Sequence, residues 1–288
     1  MEWSGARTEK ILEIKELSFR YPEATRKAVD SFTLDVGESE IVVLAGPSGC
    51  GKSTLLRAIN GLIPHMYTGD YSGDVRVAGS SVRTSSMRDL AQIVGFLFQN
   101  PENQIFMFTV ERDVAFGLEN LGVPRPEMRR RVDEAIGLLG IESISQRAPH
   151  ELSDGQKQRV ALAGVLAMRP RLIILDEPTS LLDPKTAMEL VDLVARLRKE
   201  LGTTFVVVEH RLDLLVRVAD RIVVMDAGAK VLDGTPRDVL FNEDADGYGV
   251  SVPAVTRVQR MLAKVGRAPD DRLLSATELA STVEGKGA

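Results

Sequence analysis

Two stretches of this chain hold residue types whose spacing could do chemistry together. The first is Gly46-Pro47-Ser48-Gly49-Cys50-Gly51-Lys52-Ser53-Thr54, a G-x-x-x-x-G-K-S phosphate loop. Its glycines let successive backbone N–H groups curl around a phosphate chain. The helix that must follow adds unsatisfied N–H groups and a positive dipole. In such a loop Lys52 sits on the β- and γ-phosphates and Ser53 ligates Mg2+. The second stretch, Leu172-Ile-Ile-Leu175-Asp176-Glu177-Pro178, is an apolar strand ending in two carboxylates. Asp176 at the strand tip can hold the Mg2+ shell, and Glu177 can polarise a water for in-line attack on a γ-phosphate.

The elements that must position these residues follow from the hydrophobic pattern. Ile41–Ala45 reads as a buried parallel strand, and Ser53–Ile63 has helical spacing, so the loop lies between strand and helix as the motif requires. Residues 11–44 alternate in strand fashion around a turn at Gly37-Glu38. Val75–Gly79, Ile93–Phe98, Phe205–Val208 and Ile222–Met225 are further strands. Helices are expected over Gln156–Met168, Thr186–Leu201 and Leu212–Val218. The fold class is therefore α/β, a mostly parallel sheet covered on both faces, with an antiparallel β subdomain. Residues 110–147 read as an all-helical insertion, within outer limits of about 105–165. Its Arg129-Arg130-Arg131 run is expected to be a solvated helix face. The main domain spans 1–242. A polar run from Asn242 opens an extension over 243–288, with an amphipathic helix at 255–265, a capping-box spelling at Ser275–Glu278 and a frayed end at Gly285–Ala288.

Composition narrows the classes. The chain has 288 residues, 44% hydrophobic and 27% charged, as a soluble globular protein would. A net charge of −5 gives no electrostatic footprint for nucleic acid. The single cysteine, Cys50, lies in the phosphate loop and suits a reducing compartment. The start, Met1-Glu-Trp-Ser-Gly, spells no secretory signal. No apolar run reaches the length of a bilayer span, so a membrane role would need spans from another chain.

Four more stretches complete a pattern. Leu152-Ser153-Asp154-Gly155-Gln156 opens a helix, Gln99 follows the strand 93–98, Ser180-Leu-Leu-Asp183 follows the acidic pair, and His210 follows the strand 205–208. With the phosphate loop and acidic strand, in this order, they resemble the ATP-binding subunit of an ABC transporter over about residues 11–241. The resemblance implies an ATPase whose two subunits close head-to-tail. ATP would lie between one phosphate loop and the other subunit's Ser153, Gly155 and Gln156. It further implies that Gln99 contacts Mg2+ and the attacking water, His210 bonds the γ-phosphate, Asp183 crosses the dimer contact and Tyr21 stacks on adenine. Asp154 departs from the usual glycine. A carboxylate there favours the helix N-terminus but repels a triphosphate unless it points away.

Phe98-Gln99-Asn-Pro-Glu-Asn-Gln-Ile-Phe106 and Thr109-Val-Glu-Arg-Asp-Val-Ala-Phe-Gly117 resemble the ATPases of energy-coupling-factor (ECF) importers and their cobalt and nickel relatives. That implies work at the cytoplasmic face of a membrane, importing a vitamin or transition-metal ion. The partners would be a second ATPase subunit, identical or paralogous, a transmembrane coupling subunit docked near residues 99–118, and a substrate-capture membrane protein. Residues 243–288 would then add to the dimer contact. Rival readings are an ordinary ABC importer or exporter subunit, a soluble ABC ATPase, and a non-hydrolysing regulatory subunit. DNA-repair members are excluded, because only about fifty residues separate Gln99 from Ser153, too few for their long coiled coil.

Overall fold

The computed structural model describes residues 10–264, 272–274 and 278. In chain order its elements are β1 (Lys10–Arg20), β2 (Val29–Gly37), β3 (Ile41–Ala45), α1 (Lys52–Ile59), α2 (Leu62–His65), β4 (Asp70–Val77), β5 (Ser80–Ser81), α3 (Met87–Ile93) and β6 (Val94–Leu97). Next are α4 (Val110–Leu121) and α5 (Arg125–Leu139). Then come α6 (Asp154–Ala167), β7 (Leu172–Asp176), α7 (Pro184–Leu201), β8 (Thr204–Val208), α8 (Leu212–Leu215), β9 (Arg221–Asp226), β10 (Ala229–Gly234), α9 (Pro236–Leu240) and α10 (Ala254–Lys264).

Unbroken apolar runs become central strands because both faces of a parallel sheet are covered. The large sheet has the order β10-β9-β3-β8-β7-β6. Its strands β9, β3, β8, β7 and β6 pair in parallel, and β10 closes the edge antiparallel to β9. All five residues of β3 are buried, but the strand's two-residue period sends them to opposite sides. Ile41, Val43 and Ala45 join Ile173, Leu175, Phe205 and Val207 in a core shared with α4–α7. Val42 and Leu44 join Leu172, Ile174, Val206 and Val208 in a second core with α1 and the small antiparallel sheet β2-β1-β4-β5.

The register decides where function can sit. Leu44 of β3 aligns with Val208 of β8, Val208 with Asp176 of β7, and Leu175 with Leu97 of β6. The segments that follow β3, β6, β7 and β8 therefore leave one edge of the sheet side by side. The carboxyl edge of an open parallel sheet is where such folds place ligands.

Several local expectations are corrected. The helix expected over Ser53–Ile63 ends at Ile59, because Gly61 takes a left-handed conformation (φ 85°) and Ile63 is extended (φ −105°, ψ 125°). The strand expected from Val75 starts at Asp70, pairing Asp70 with Arg20 across to β1; its polar residues concealed it. The short β10 and the helix α3, capped by Ser86, carry little hydrophobic signal and were not anticipated. The Leu212–Val218 helix is the shorter α8. In the Arg129–Arg131 run, expected to be a solvated helix face, Arg129 and Arg130 are exposed; Arg130 pairs with Glu127 and Glu134, and the half-buried Arg131 with Glu127.

Beyond residue 242, Ala245, Val250, Val252 and Leu274 are buried in the helical-side core. On α10, the buried Gln259 side chain bonds both the N–H and the carbonyl of Leu273 (3.1 and 2.9 Å). Residues 275–277 of the expected capping box, the chain end at 285–288 and the first nine residues lie outside the described residues. Among the described residues, no helix is long and apolar enough to cross a membrane.

Candidate nucleotide-binding site

The loop Gly46–Gly51 leaves β3 and turns into α1. Its shape depends on glycine at two points. Gly46 (φ 139°) and Gly51 (φ 112°) occupy backbone conformations that side chains rarely adopt, and a Cβ at either would come within 2.0 Å of a carbonyl oxygen, of Met225 or Ala28. Lys52 is 6% exposed, and its ammonium donates to the carbonyls of Gly46 (2.8 Å) and Pro47 (2.9 Å). The loop is thus curled around its own lysine. Pro47, Ser48 and Gly49 form the outer rim, and the Cys50 sulfur is buried beneath it.

Ser53 and Thr54 open α1. Thr54 is buried, and its hydroxyl lies 3.3 Å from the Tyr21 hydroxyl. Arg57, one turn on, also donates to that hydroxyl (2.9 Å) and lies over the Tyr67 ring. Phe19 packs edge-on against Tyr21, with ring centroids 4.9 Å apart. The hydroxyl end of Tyr21 is therefore fixed to the helix that follows the loop. Arg57 had no sequence signal, since one arginine in an amphipathic helix looks like an ordinary surface residue.

Three strand ends meet at Glu177. Its Oε2 accepts the amide N–H of Gln99 (2.7 Å), and the His210 Nε2–H donates to its Oε1 (3.2 Å). Glu177 has φ 46°, a left-handed backbone uncommon for a non-glycine residue, and such strain collects at functional sites. Neighbouring Asp176 has its carboxyl held above the usual range, first by burial and then by the Glu177 charge; Lys52 and Arg57 oppose the shift. Lys52, Ser53, Gln99, Asp176, Glu177 and His210 thus belong to one sheet edge.

A hydroxyl, a carboxylate and an amide oxygen from Ser53, Asp176 and Gln99 are the hard oxygen donors that suit Mg2+. Among the described residues no three His, Cys, Asp or Glu side chains form a metal cage. Mg2+ takes only part of its six-oxygen shell from protein, and phosphate oxygens and water fill the rest.

Ser153, Gly155, Gln156 and Asp183 are not part of this cluster. Ser153 and Gln156 bond each other at the exposed start of α6, as a capping box (3.0 and 3.4 Å). Asp183 caps α7, accepting from the Lys185 and Thr186 N–H groups (3.0 and 3.2 Å), and the Thr186 hydroxyl bond chiefly holds its carboxyl below the usual range. The two starts touch, because a Cβ on Gly155 would meet the Thr186 methyl at 2.6 Å. They form a second, exposed patch at the starts of α6 and α7. Asp154 on this patch is 64% exposed, and Lys157 stands 4.0 Å from its carboxylate while bonding Glu102 at 2.5 Å.

The segment between Gln99 and α4 is fastened along its length. Gln104 donates to the Phe96 carbonyl (3.0 Å) and accepts the Phe98 N–H (3.2 Å). Buried Asp113 accepts the N–H groups of Phe106 (3.0 Å) and Met107 (3.1 Å). Phe106 and Phe108 remain exposed, at 60% and 82%.

A phosphate loop, an acidic strand tip and a separate helix-start patch on a mixed sheet with an antiparallel subdomain define an ABC-type ATPase domain. The chain belongs to the ABC transporter family, whose family model matches residues 29–180. It is 42% identical over 263 residues to the energy-coupling factor transporter ATP-binding protein EcfA1 of Bacillus licheniformis, covering 90% of this chain and 91% of that one. Among solved structures it resembles CbiO1 of Clostridium perfringens, part of the ABC transporter complex CbiONQ. There the TM-score is 0.75 at 35% identity, covering 88% of this chain and 99% of the other. It also resembles the ATP-binding cassette MJ0796, solved as a dimer in a post-hydrolysis state with ADP and Pi. That match has a TM-score of 0.67 at 29% identity, covering 78% and 98%. Some relatives are longer: the chain spans 44% of an ABC transporter ATP-binding protein of Methanosarcina mazei, at 40% identity over 257 residues, and 42% and 35% of two from Methanosarcina acetivorans.

Proposed function

We propose that this chain is the ATP-hydrolysing subunit of an ECF-type importer. It would sit at the cytoplasmic face of the membrane and energise uptake of a vitamin or transition-metal ion. The observation that carries the reading is the Gln99–Phe108 segment, fastened to Glu177 at one end and presenting two exposed phenylalanines at the other. Relatives named EcfA1 and the CbiONQ subunit support the same class.

The residues take these roles. The loop Gly46–Thr54 wraps the triphosphate, with Lys52 turning from its own carbonyls to the β- and γ-phosphates. Tyr21 presents its ring to the adenine. Ser53, Asp176 and Gln99 would hold Mg2+, which offsets phosphate charge when bound. Glu177 accepts a proton from the water whose oxygen attacks the γ-phosphorus as the bond to the bridging oxygen of ADP breaks. His210 holds Glu177 and faces the γ-phosphate. A second ATPase subunit brings its Ser153, Gly155, Gln156 and Asp183 to complete the site, and residues 243–288 add to that contact. A transmembrane coupling subunit docks on Phe106 and Phe108, and a separate membrane protein captures the cargo.

The test is affinity recovery of the chain from its native membrane, with mass spectrometry of what accompanies it. A helical coupling subunit with a small capture protein is the expected result. A two-domain permease with a soluble binding protein would overturn the ECF reading, and soluble partners alone would overturn the transport reading.

A further inference from the structure

Glu209 has no role in the chemistry above, although it is one of the most enclosed carboxylates in the chain. It follows the wholly buried strand β8 and is 3% exposed. A carboxylate in such a place is costly unless donors surround it. Its Oε1 accepts the N–H groups of His210 (2.8 Å) and Arg211 (3.0 Å), and its Oε2 accepts the hydroxyl of Thr179 (2.5 Å). Thr179 is itself 1% exposed and stands two residues after Glu177.

One side chain therefore ties the segment leaving β8 to the segment leaving β7. Two weaker ties run beside it. The Glu177 N–H donates to the Val208 carbonyl (2.9 Å), and the Arg211 guanidinium donates to the Leu182 carbonyl (3.4 Å). Among the described residues, only the Glu209 carboxylate bonds the His210 backbone. None of its bonds reaches the phosphate loop; they end on His210, on Arg211 and on Thr179, two residues after Glu177.

We propose that Glu209 is a positioning residue for ATP hydrolysis. Its carboxylate fastens the His210 backbone to Thr179 and thereby sets the 3.2 Å approach of His210 to Glu177. The inference rests on the roles proposed for Glu177 and His210 and adds a part to them. Placement errors of this kind act on turnover: a reacting group displaced by ~1 Å can cost about a hundredfold in rate. Nucleotide affinity, set by the loop and Lys52, is left alone.

The experiment measures ATP affinity and steady-state hydrolysis on the full chain and its E209A, T179V, E209Q, E177Q, H210A and E209A/H210A variants. Loss of about tenfold or more in kcat is expected for E209A, with a smaller loss for T179V, and ATP affinity unchanged within about twofold. E209Q should recover most of what E209A loses, since the amide oxygen can accept both N–H groups and the Thr179 hydroxyl can turn to accept the amide. E209A should cost nothing further in the H210A background, because residues acting as a unit are non-additive. Wild-type kcat in both E209A and T179V, or a further loss in the double variant below the residual H210A rate, would overturn the inference while E177Q and H210A stay slowed. Wild-type turnover by E177Q and H210A would instead remove the reading of the site beneath it. If E209A fails to fold, T179V and E209Q carry the decision: a kcat loss in T179V without loss of affinity supports the tie, and an unchanged kcat removes it.

Discussion

His210 and Glu177 stand 33 positions apart in the chain, yet the histidine Nε2 lies 3.2 Å from the glutamate Oε1, because β7 and β8 are neighbours in register. Gln99 holds the other oxygen of the same carboxylate. Glu177→Gln keeps the shape of this bridge but removes the proposed proton acceptor. Its turnover should fall by at least about a hundredfold, with ATP affinity kept and a closed dimer accumulating in size-exclusion chromatography. Hydrolysis near the wild-type rate would remove Glu177 from the base role.

Lys52 donates to two carbonyls of the loop it belongs to. Lys52→Ala removes the group that bonds the Gly46 and Pro47 carbonyls and, with it, the phosphate contact proposed for Lys52. ATP affinity should drop by about tenfold or more, in line with charged hydrogen bonds contributing about 1.5–3 kcal/mol. Fluorescent-nucleotide titration checks this, and unchanged affinity would count against the assignment.

Asp176 is a carboxylate at a sheet edge to which a Mg2+ role is proposed. Its carboxyl is raised by burial and by Glu177, so between the unfolded and folded pKa values the native chain binds the extra proton and stability falls as pH rises. Asp176→Asn should therefore stabilise the nucleotide-free chain by about 1 kcal/mol or less at pH 7, once solvent screening is allowed for. At acidic pH, where Asp176 is protonated as well, the gain should vanish. Thermal melts at the two pH values decide it; a lower melting temperature at pH 7 contradicts the account.

Tyr71 has a buried hydroxyl with no hydrogen-bond partner among the described residues, and burial, followed by the Asp74 charge, pushes its pKa up to about 12. Tyr71→Phe removes an unsatisfied group without changing the ring's shape. It should be neutral or stabilising by about 1 kcal/mol. The wild-type chain should lose stability as pH climbs from 10 toward 12, because only the unfolded state ionises there, and Tyr71→Phe should lose less. Urea titrations at pH 7 and 11 measure both effects.

Asp113 bonds the loop that carries Phe106 and Phe108. Asp113→Ala orphans two N–H groups and should cost about 1–3 kcal/mol of stability. ATP affinity should hold, while recovery of membrane partners in the affinity experiment falls. Full recovery of those partners would separate the loop from docking.

The chemistry-bearing loops were legible because their signals are local. Glycine spacing marks Gly46–Lys52, and an apolar run ending in acids marks Asp176 and Glu177. The parallel sheet followed from runs such as Ile41–Ala45 that only a strand covered on both faces requires. What escaped depends on contacts between distant segments. Glu209 meets Thr179 across 30 positions, and Arg57 reaches Tyr21 across 36. No window of sequence contains either pair. β10 escaped for another reason: an edge strand of half-buried residues lacks the hydrophobic contrast that announces a central one.

The alternation of β3, β7 and β8 between two cores has a thermodynamic consequence. The large sheet is a party wall: Val43 and Phe205 belong to the helical side, Val42 and Val206 to the other. Losing either side strips water-averse surface from strands the other side still needs. Partial melting thus forfeits contacts in both compartments, so the two cores are bound to a common cooperative transition.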